Sequence, residues 1–412
     1  MNKIALTVLI TGILATSIIA LVYLEISNTK NEEATLLWET SLEHFATDIT
    51  VADGKVFTTN SLISQCFNLT NGNSLWNASI HRNDGIEFYQ NNVYIGSVGG
   101  IVNKLDKDTG EVLAQFPAPV SSSIGSKTSP DFFLADNKLF TSRDGVAVYD
   151  VKTEELFWEN NRNLVLTLGN ASLNVPESNY IYIKGNARYN PNNGSLIWNK
   201  PGWQDNPPII TQKQVIFWNY NSECSDFRQN ILSVNASTGE TIWNYDVEAS
   251  VFQPVSYNEI LLFGSNKGYF YALNITDGSL VWKIHIDTNH LMLNYTSLDA
   301  PSVYVDSQNQ RAYWGFIVAQ NDGSQGELSC LDISTGNLIW TEQFLTNGSA
   351  DVGSLVSLKN TIFFTANNHL WTFNKQTGNL TDVKTFDHYI LPPVEYDNKV
   401  FIAADLFLFA YE

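Results

Sequence analysis

Three cysteines, six histidines and one alternating run of carboxylates are the groups in this 412-residue chain suited to metal, redox or nucleophilic chemistry. Cys66, Cys224 and Cys330 stand singly and far apart, so no ligand pair or adjacent thiol pair exists along the sequence. The histidines are His44, His81, His285, His290, His369 and His388, and only His285 and His290 fall near one another. Asp106-Lys-Asp-Thr-Gly110 alternates carboxylates as half of a calcium loop does. No nucleophile elbow, paired-histidine zinc motif or phosphate loop is present. The sequence therefore nominates no catalytic residue and no metal ligand.

The calcium-like run loses its special status once its neighbours are read. The same five positions elsewhere hold Asn235-Ala-Ser-Thr-Gly239 and Asn274-Ile-Thr-Asp-Gly278. An Asn or Asp recurs four residues before a Gly, at Asn68, Asp106, Asp150, Asn190, Asn235, Asn274, Asp332 and Asn374. The glycines are Gly72, Gly110, Gly194, Gly239, Gly278, Gly336 and Gly378, with Glu154 standing in once. A Trp follows four residues later at Trp76, Trp158, Trp198, Trp243, Trp282 and Trp340, while Ala114 and Asp382 break that series.

Each position has a local reason. The Asx side chain accepts hydrogen bonds from amides two or three residues on, and Gly supplies the positive φ of a tight turn. The motif thus predicts strand, turn, strand. An apolar residue precedes every Asx, from Phe67 and Leu105 to Leu331 and Phe373, which predicts a buried face there. The Trp is expected to close each unit over its neighbour, because burying an indole removes about 150–250 Å² from water, roughly 4–6 kcal/mol before entropy is counted. Cys66 and Cys330 share one repeat position, six before the Gly, where other copies hold Ala272 or Ser233. Both are expected to be small buried strand residues on blades some three apart, out of disulfide reach.

A second phrase, a polar turn followed by a β-branched and aromatic run, precedes each motif. It appears nine times, from Asp53-Gly-Lys-Val-Phe57 to Asp397-Asn-Lys-Val-Phe401. Each unit is then four short strands in about 40 residues, the period of a propeller blade. Leu36-Leu-Trp38 resembles the end of a unit and Phe409-Ala-Tyr-Glu412 the beginning of one. Joined, they make one whole unit, which predicts that the N-terminal strand closes the ring and that Trp38 belongs to the indole series. The fold class expected is all-β, a propeller of eight to nine four-stranded blades, with nine repeats counted.

Residues Ile4 to Leu24 carry no charge over a length that spans a hydrocarbon core as a helix, with Lys3 before and Glu25 after. The domain reading is a transmembrane signal-anchor over 1–25, a polar tether over 26–35 and the propeller over 36–412. The charge order sets the propeller on the extracytoplasmic side. A cleavable signal peptide, which would release a secreted protein, is the alternative. Nine Asn-x-Ser/Thr sequons, at Asn68, Asn77, Asn170, Asn193, Asn235, Asn274, Asn294, Asn347 and Asn379, are compatible with export and a glycoprotein. The net charge of −19 opposes nucleic acid as a partner.

Insertions fall at Asn219–Asn230, His285–Ala300 and Ala319–Glu327, on blade loops where binding is expected. Trp218, Tyr313 and Trp314 lie in strand phrases and are expected in the core, while Trp203 and Phe227 are the candidate binding-loop aromatics.

The repeated Ala-x-Asn-x-x-x-Gly-x-x-x-Trp, over about residues 36–412, resembles the tryptophan-docking repeat of the pyrroloquinoline-quinone (PQQ) propellers. The resemblance implies either a quinoprotein alcohol dehydrogenase, holding PQQ and calcium on the ring axis, or a non-catalytic propeller such as an outer-membrane assembly lipoprotein. The adjacent cysteine pair of the dehydrogenases is missing, as is the lipidated cysteine of the lipoproteins near residue 25. The reading carried forward is a membrane-anchored binding or assembly scaffold with a protein partner on a ring face and no predicted cofactor. A PQQ- and calcium-dependent dehydrogenase and an extracellular carbohydrate binder are the alternatives.

Overall fold

The computed structural model describes residues 32–412 except 61, 81–82, 98, 120–130, 143–144, 161–180, 184–186, 201–207, 221–228, 248, 250, 266, 287–302, 321–322 and 347–352. The anchor over 1–25, Cys224, Trp203 and Phe227 lie outside the described residues. No helix among the described residues is long and apolar enough to cross a membrane.

Nine antiparallel sheets follow one another among the described residues. They run over 48–78, 83–117, 131–160, 181–199, 209–247, 255–285, 303–346, 354–385 and, as the ninth, 394–411 joined by Leu36–Ser41. Each is numbered here as a blade, its strands counted outward. Eight have four strands, and blade 4 shows three. The repeated polar phrase makes the turn between the first and second strands, where Asp53, Asn91, Asp136, Asn258, Lys359 and Asp397 take positive φ. The Asx–Gly motif makes the turn between the third and fourth. In it the Asp106 Oδ1 accepts from the amides of Asp108 and Thr109, both at 2.8 Å. Those two amides hold the Asp106 carboxyl below the usual carboxylate range. The alternating carboxylates there are turn chemistry.

Seven indoles close seven of the nine seams. Trp38, Trp76, Trp158, Trp198, Trp243, Trp282 and Trp340 lie respectively on Gly72, Gly110, Gly194, Gly239, Gly278, Gly336 and Gly378 of the following blade. A Cβ on any of these glycines would sit 2.5–2.8 Å from a ring carbon. Six indole N–H groups donate at 2.7–3.0 Å to the carbonyl of the residue just after the next blade's Asx: Leu69, Lys107, Pro191, Ala236, Ile275 and Ile333. Contact area and a satisfied donor therefore come from one side chain. Trp218, Tyr313 and Trp314 are buried, as expected of strand residues.

The ring closes as the split unit predicts. Leu36–Ser41 pairs with Phe407–Tyr411, placing Leu36 opposite Tyr411 and Trp38 opposite Ala410. The Glu412 amide donates to Thr35 O at 2.9 Å, the bond that Asn68 makes to Asn73 in an unbroken turn. Glu412 thus holds the Asx place and Ala34 the Gly place of a turn built from both ends of the chain. Residues 32–35, in the sequence reading part of the tether, are docked: the Asn360 amide donates to Glu32 O, and Glu33 accepts from Thr361 Oγ1 and Asn374 Nδ2, both at 2.7 Å.

The segment Ala319–Glu327 differs from the insertion loop that its length suggests. It lengthens the central hairpin of blade 7, Arg311–Gln320 against Gly323–Asp332, in continuous register from Arg311↔Asp332 to Gln320↔Gly323. At its base Phe316, Ile317 and Leu328 are buried.

Candidate functional site

Antiparallel strand order divides the ring into two faces. The Asx–Gly turns and the first-to-second-strand turns leave one face, which is uniform around the ring. The second-to-third-strand turns and the blade-to-blade connections leave the other, and the three insertions of the sequence all attach there.

On the second face, at the closing blade, apolar and aromatic side chains gather in the open. Phe45 follows the outermost strand of blade 9 and is 45% exposed; Tyr389 precedes its innermost strand and is 66% exposed. Leu406 and Phe407, at its second-to-third-strand turn, are 40% and 39% exposed. The Phe45 and His388 rings meet at 4.5 Å. Asp405 fixes the approach: its carboxylate accepts from the amides of Asp387 at 3.0 Å and His388 at 2.7 Å. Its Oδ1 also lies 3.4 Å from His388 Nδ1. The Leu42 amide donates to Leu406 O at 2.7 Å, tying the Phe45 connection to the same turn. Exposed rings on a hydrogen-bonded frame suit contact with another macromolecule.

Nothing in the sequence reading singled out Phe45 or Tyr389. Each is a lone aromatic in a blade connection, and only ring closure brings positions 45 and 388 together.

The inner strands carry a separate set of ionisable groups that lace blades together. Asp48 of blade 1 accepts from the Ile86 amide of blade 2 at 3.1 Å. Glu87 of blade 2 accepts from the Leu134 backbone of blade 3, yet burial, with Asp48 nearby, pushes its carboxyl up to about 7. Asp306 of blade 7 and Lys375 of blade 8 form an ion pair at 2.7 Å, and Lys375 also donates to Ser357 Oγ at 3.2 Å. Burial works against the Asp306 carboxylate, but Asn309 and Lys375 outweigh it and hold the carboxyl below its ordinary value.

Cys66 and Cys330 are buried free thiols paired in register with Trp76 and Trp340, in the small-residue role expected of them. Burial pushes the Cys66 thiol up to about 12 and Cys330 to about 11, so neither is a nucleophile at neutral pH. Among the described residues no three carboxylate, imidazole or thiol groups converge as metal ligands.

A family model described as outer membrane protein assembly factor BamB matches residues 19–163 and 184–316. This chain belongs to that family. Its propeller is also like known proteins over shorter stretches. Uncharacterized protein RC0314 of Rickettsia conorii is 24% identical over 183 residues, 42% of this chain and 41% of that protein. Outer membrane protein assembly factor BamB of Yersinia pestis is 29% identical over 114 residues, 27% of this chain and 26% of that protein. The chain thus spans less than half the length of the curated relatives it matches. Among solved structures, BamB from Moraxella catarrhalis superposes with a TM-score of 0.52 at 11% identity, over 92% of this chain and all of that one (100%). Quinohemoprotein alcohol dehydrogenase ADHIIG from Pseudomonas putida HK5 gives 0.53 at 12% identity, over 92% of this chain and 76% of that one. Both likenesses are of fold. Within this BamB-like propeller, the exposed aromatic group of blade 9 is the described feature best suited to a partner.

Proposed function

We propose that this BamB-like propeller is a non-catalytic scaffold, anchored in a membrane by its N-terminal segment, that binds a protein partner on its loop-bearing face. The observation that carries the reading is the exposed group Phe45, Tyr389, Leu406 and Phe407, held by Asp405 on the face to which every insertion attaches. Aromatic side chains offer large contact area at low conformational cost, and such groups act as anchors in protein interfaces. The family description as an assembly factor supports the same role. Export places the ring on the extracytoplasmic side, and the charge order around Ile4–Leu24 supports that orientation.

A photo-crosslinking residue placed at Tyr389, with a control at Lys152 in an Asx turn of the opposite face, tests the reading in cells. Polypeptide adducts are expected from position 389 alone. Adducts in equal yield from both positions, or from neither, overturn it. Titration with PQQ and calcium separates the scaffold from a dehydrogenase, since a saturable quinone spectrum with dye reduction by alcohols establishes the enzyme. Binding to a glycan array establishes the carbohydrate reading.

A further inference from the structure

The fold sorts the sequons by face. Asn68, Asn193, Asn235, Asn274 and Asn379 lie in the third-to-fourth-strand turns of blades 1, 4, 5, 6 and 8, on the uniform face. Asn77 lies near the far end of the outer strand Ser74–Ala78, beside the loop-bearing face. Asn170, Asn294 and Asn347 are outside the described residues.

The nitrogen that N-glycosylation uses is unengaged at the five turn positions and engaged at Asn77. Asn77 Nδ2 donates to Glu43 Oε1, and its Oδ1 accepts from Gln65 Nε2 at 3.4 Å. None of the five turn asparagines spends Nδ2 on a hydrogen bond among the described residues.

The turn itself is the cause at three of them. Asn68 Oδ1 accepts from the amides of Thr70 at 2.9 Å and Asn71 at 3.3 Å, and Asn235 Oδ1 from Ser237 at 2.8 Å and Thr238 at 3.1 Å. Asn274 Oδ1 accepts from Thr276 at 2.7 Å. A side-chain amide is planar, so holding Oδ1 inside the turn directs Nδ2 out of it. Asn193 and Asn379, later in their turns, are exposed outright. Turn chemistry does not by itself demand Asn, because Asp106, Asp150 and Asp332 accept the same amides. Asn374, which has Gln376 rather than a hydroxyl two residues on, spends its Nδ2 on Glu33 at 2.7 Å.

We propose that the turn face carries N-linked oligosaccharides at Asn68, Asn193, Asn235, Asn274 and Asn379 while Asn77 stays bare, an inference that rests on the extracytoplasmic reading above. The donor class is an oligosaccharide joined through phosphate to a lipid. Asn Nδ2 bonds to the anomeric carbon and the anomeric C–O bond to phosphate breaks. The lipid phosphate leaves with the electron pair, and Nδ2 gives up one proton. Sugars on these turns exclude macromolecules from the uniform face and leave Phe45 and Tyr389, on the opposite face, as the open contact surface.

Glycopeptide mass spectrometry of the full-length protein purified from its own cells reads occupancy site by site. Sugar on most of the five turn asparagines, with Asn77 unmodified, is expected. Sugar on Asn77, or a majority of the five bare, overturns the proposal. Ser237→Ala keeps Asn235 and its turn but removes the hydroxyl of the sequon, and should lose the sugar at Asn235, whereas Ser237→Thr should keep it. Unchanged occupancy in Ser237→Ala also overturns the proposal. Labelling of spheroplasts with a membrane-impermeant amine reagent separates the two failures. Bare turn asparagines on a labelled protein overturn this proposal alone, whereas a protein shielded from the reagent overturns the extracytoplasmic reading and this proposal with it.

Discussion

Trp76 lies so close to Gly110 that a Cβ on that glycine would meet the indole Cε3 at 2.5 Å. The tryptophan of one blade thus demands the glycine of the next, and the demand can be traced around the ring. Where the tryptophan becomes Ala114 the glycine becomes Glu154, and where it becomes Asp382 the glycine becomes Ala34. The two series break at the same seams.

Gly110→Ala should therefore cost more than its backbone strain. Gly54 also has positive φ, at 71°, but a Cβ there meets nothing within 4 Å. Urea denaturation should show a loss of about 1 kcal/mol for Gly54→Ala from strain alone. For Gly110→Ala the loss should be about 2–4 kcal/mol, because overpacking adds to strain. Equal losses would show that the indole yields freely.

Trp38→Ala removes the indole that docks the split blade on blade 1. A loss of about 3–5 kcal/mol is expected in the same measurement, as for large aromatic truncations in a core. Proteolysis should then begin near the N-terminal strand Leu36–Ser41, because its docking on blade 1 is what the variant removes.

Lys375→Met should destabilise strongly, because it strands the Asp306 carboxylate in a site where the side chain is only 5% exposed. A cost of about 3–5 kcal/mol is expected for the single variant, and much of it should return in Asp306→Asn with Lys375→Met. The Asp306 carboxyl is depressed in the fold, so its stabilising contribution is present above its unfolded value near 3.8 and is lost as pH falls below that value. Acid denaturation of the double variant should lose that component.

Glu87 behaves in the opposite sense. Its carboxyl rises from 4.5 to about 7 in the fold. The stability it contributes is fully present below 4.5 and is lost as pH rises through about 7. Glu87→Gln should leave stability at pH 4.5 unchanged and raise it by about 1–2 kcal/mol at pH 8, the shift being discounted for partial exposure. Thermal unfolding at the two pH values checks this, and an equal change at both would exclude Glu87 as the titrating group.

Much of the architecture was legible because each repeat position answers to a local demand. Asn68 needs only the amides two and three residues on, at 2.9 and 3.3 Å, and Gly72 only its positive φ. The seam pattern was half legible: Ala114, Asp382 and Glu154 stand out as departures from the repeat, but their pairing depends on which blade faces which. Ala34 escaped notice because its turn is split between Glu412 and Glu32. The aromatic surface was not legible. Trp203 and Phe227 stand out in the aromatic-rich sequence around the fifth unit, whereas Phe45 and Tyr389 are ordinary in their local sequence.

Local backbone demands recur with the repeat, so the amino-acid string by itself determined the blades, their turns, the indole series and the closure by the N-terminal strand. Tertiary structure alone decided what meets between blades: the Asp306–Lys375 pair, the Ile86 amide on the Asp48 carboxylate and the ring contact between Phe45 and His388. These contacts join residues tens to hundreds of positions apart. Their existence depends on the angle and order of whole sheets, which no local spacing encodes.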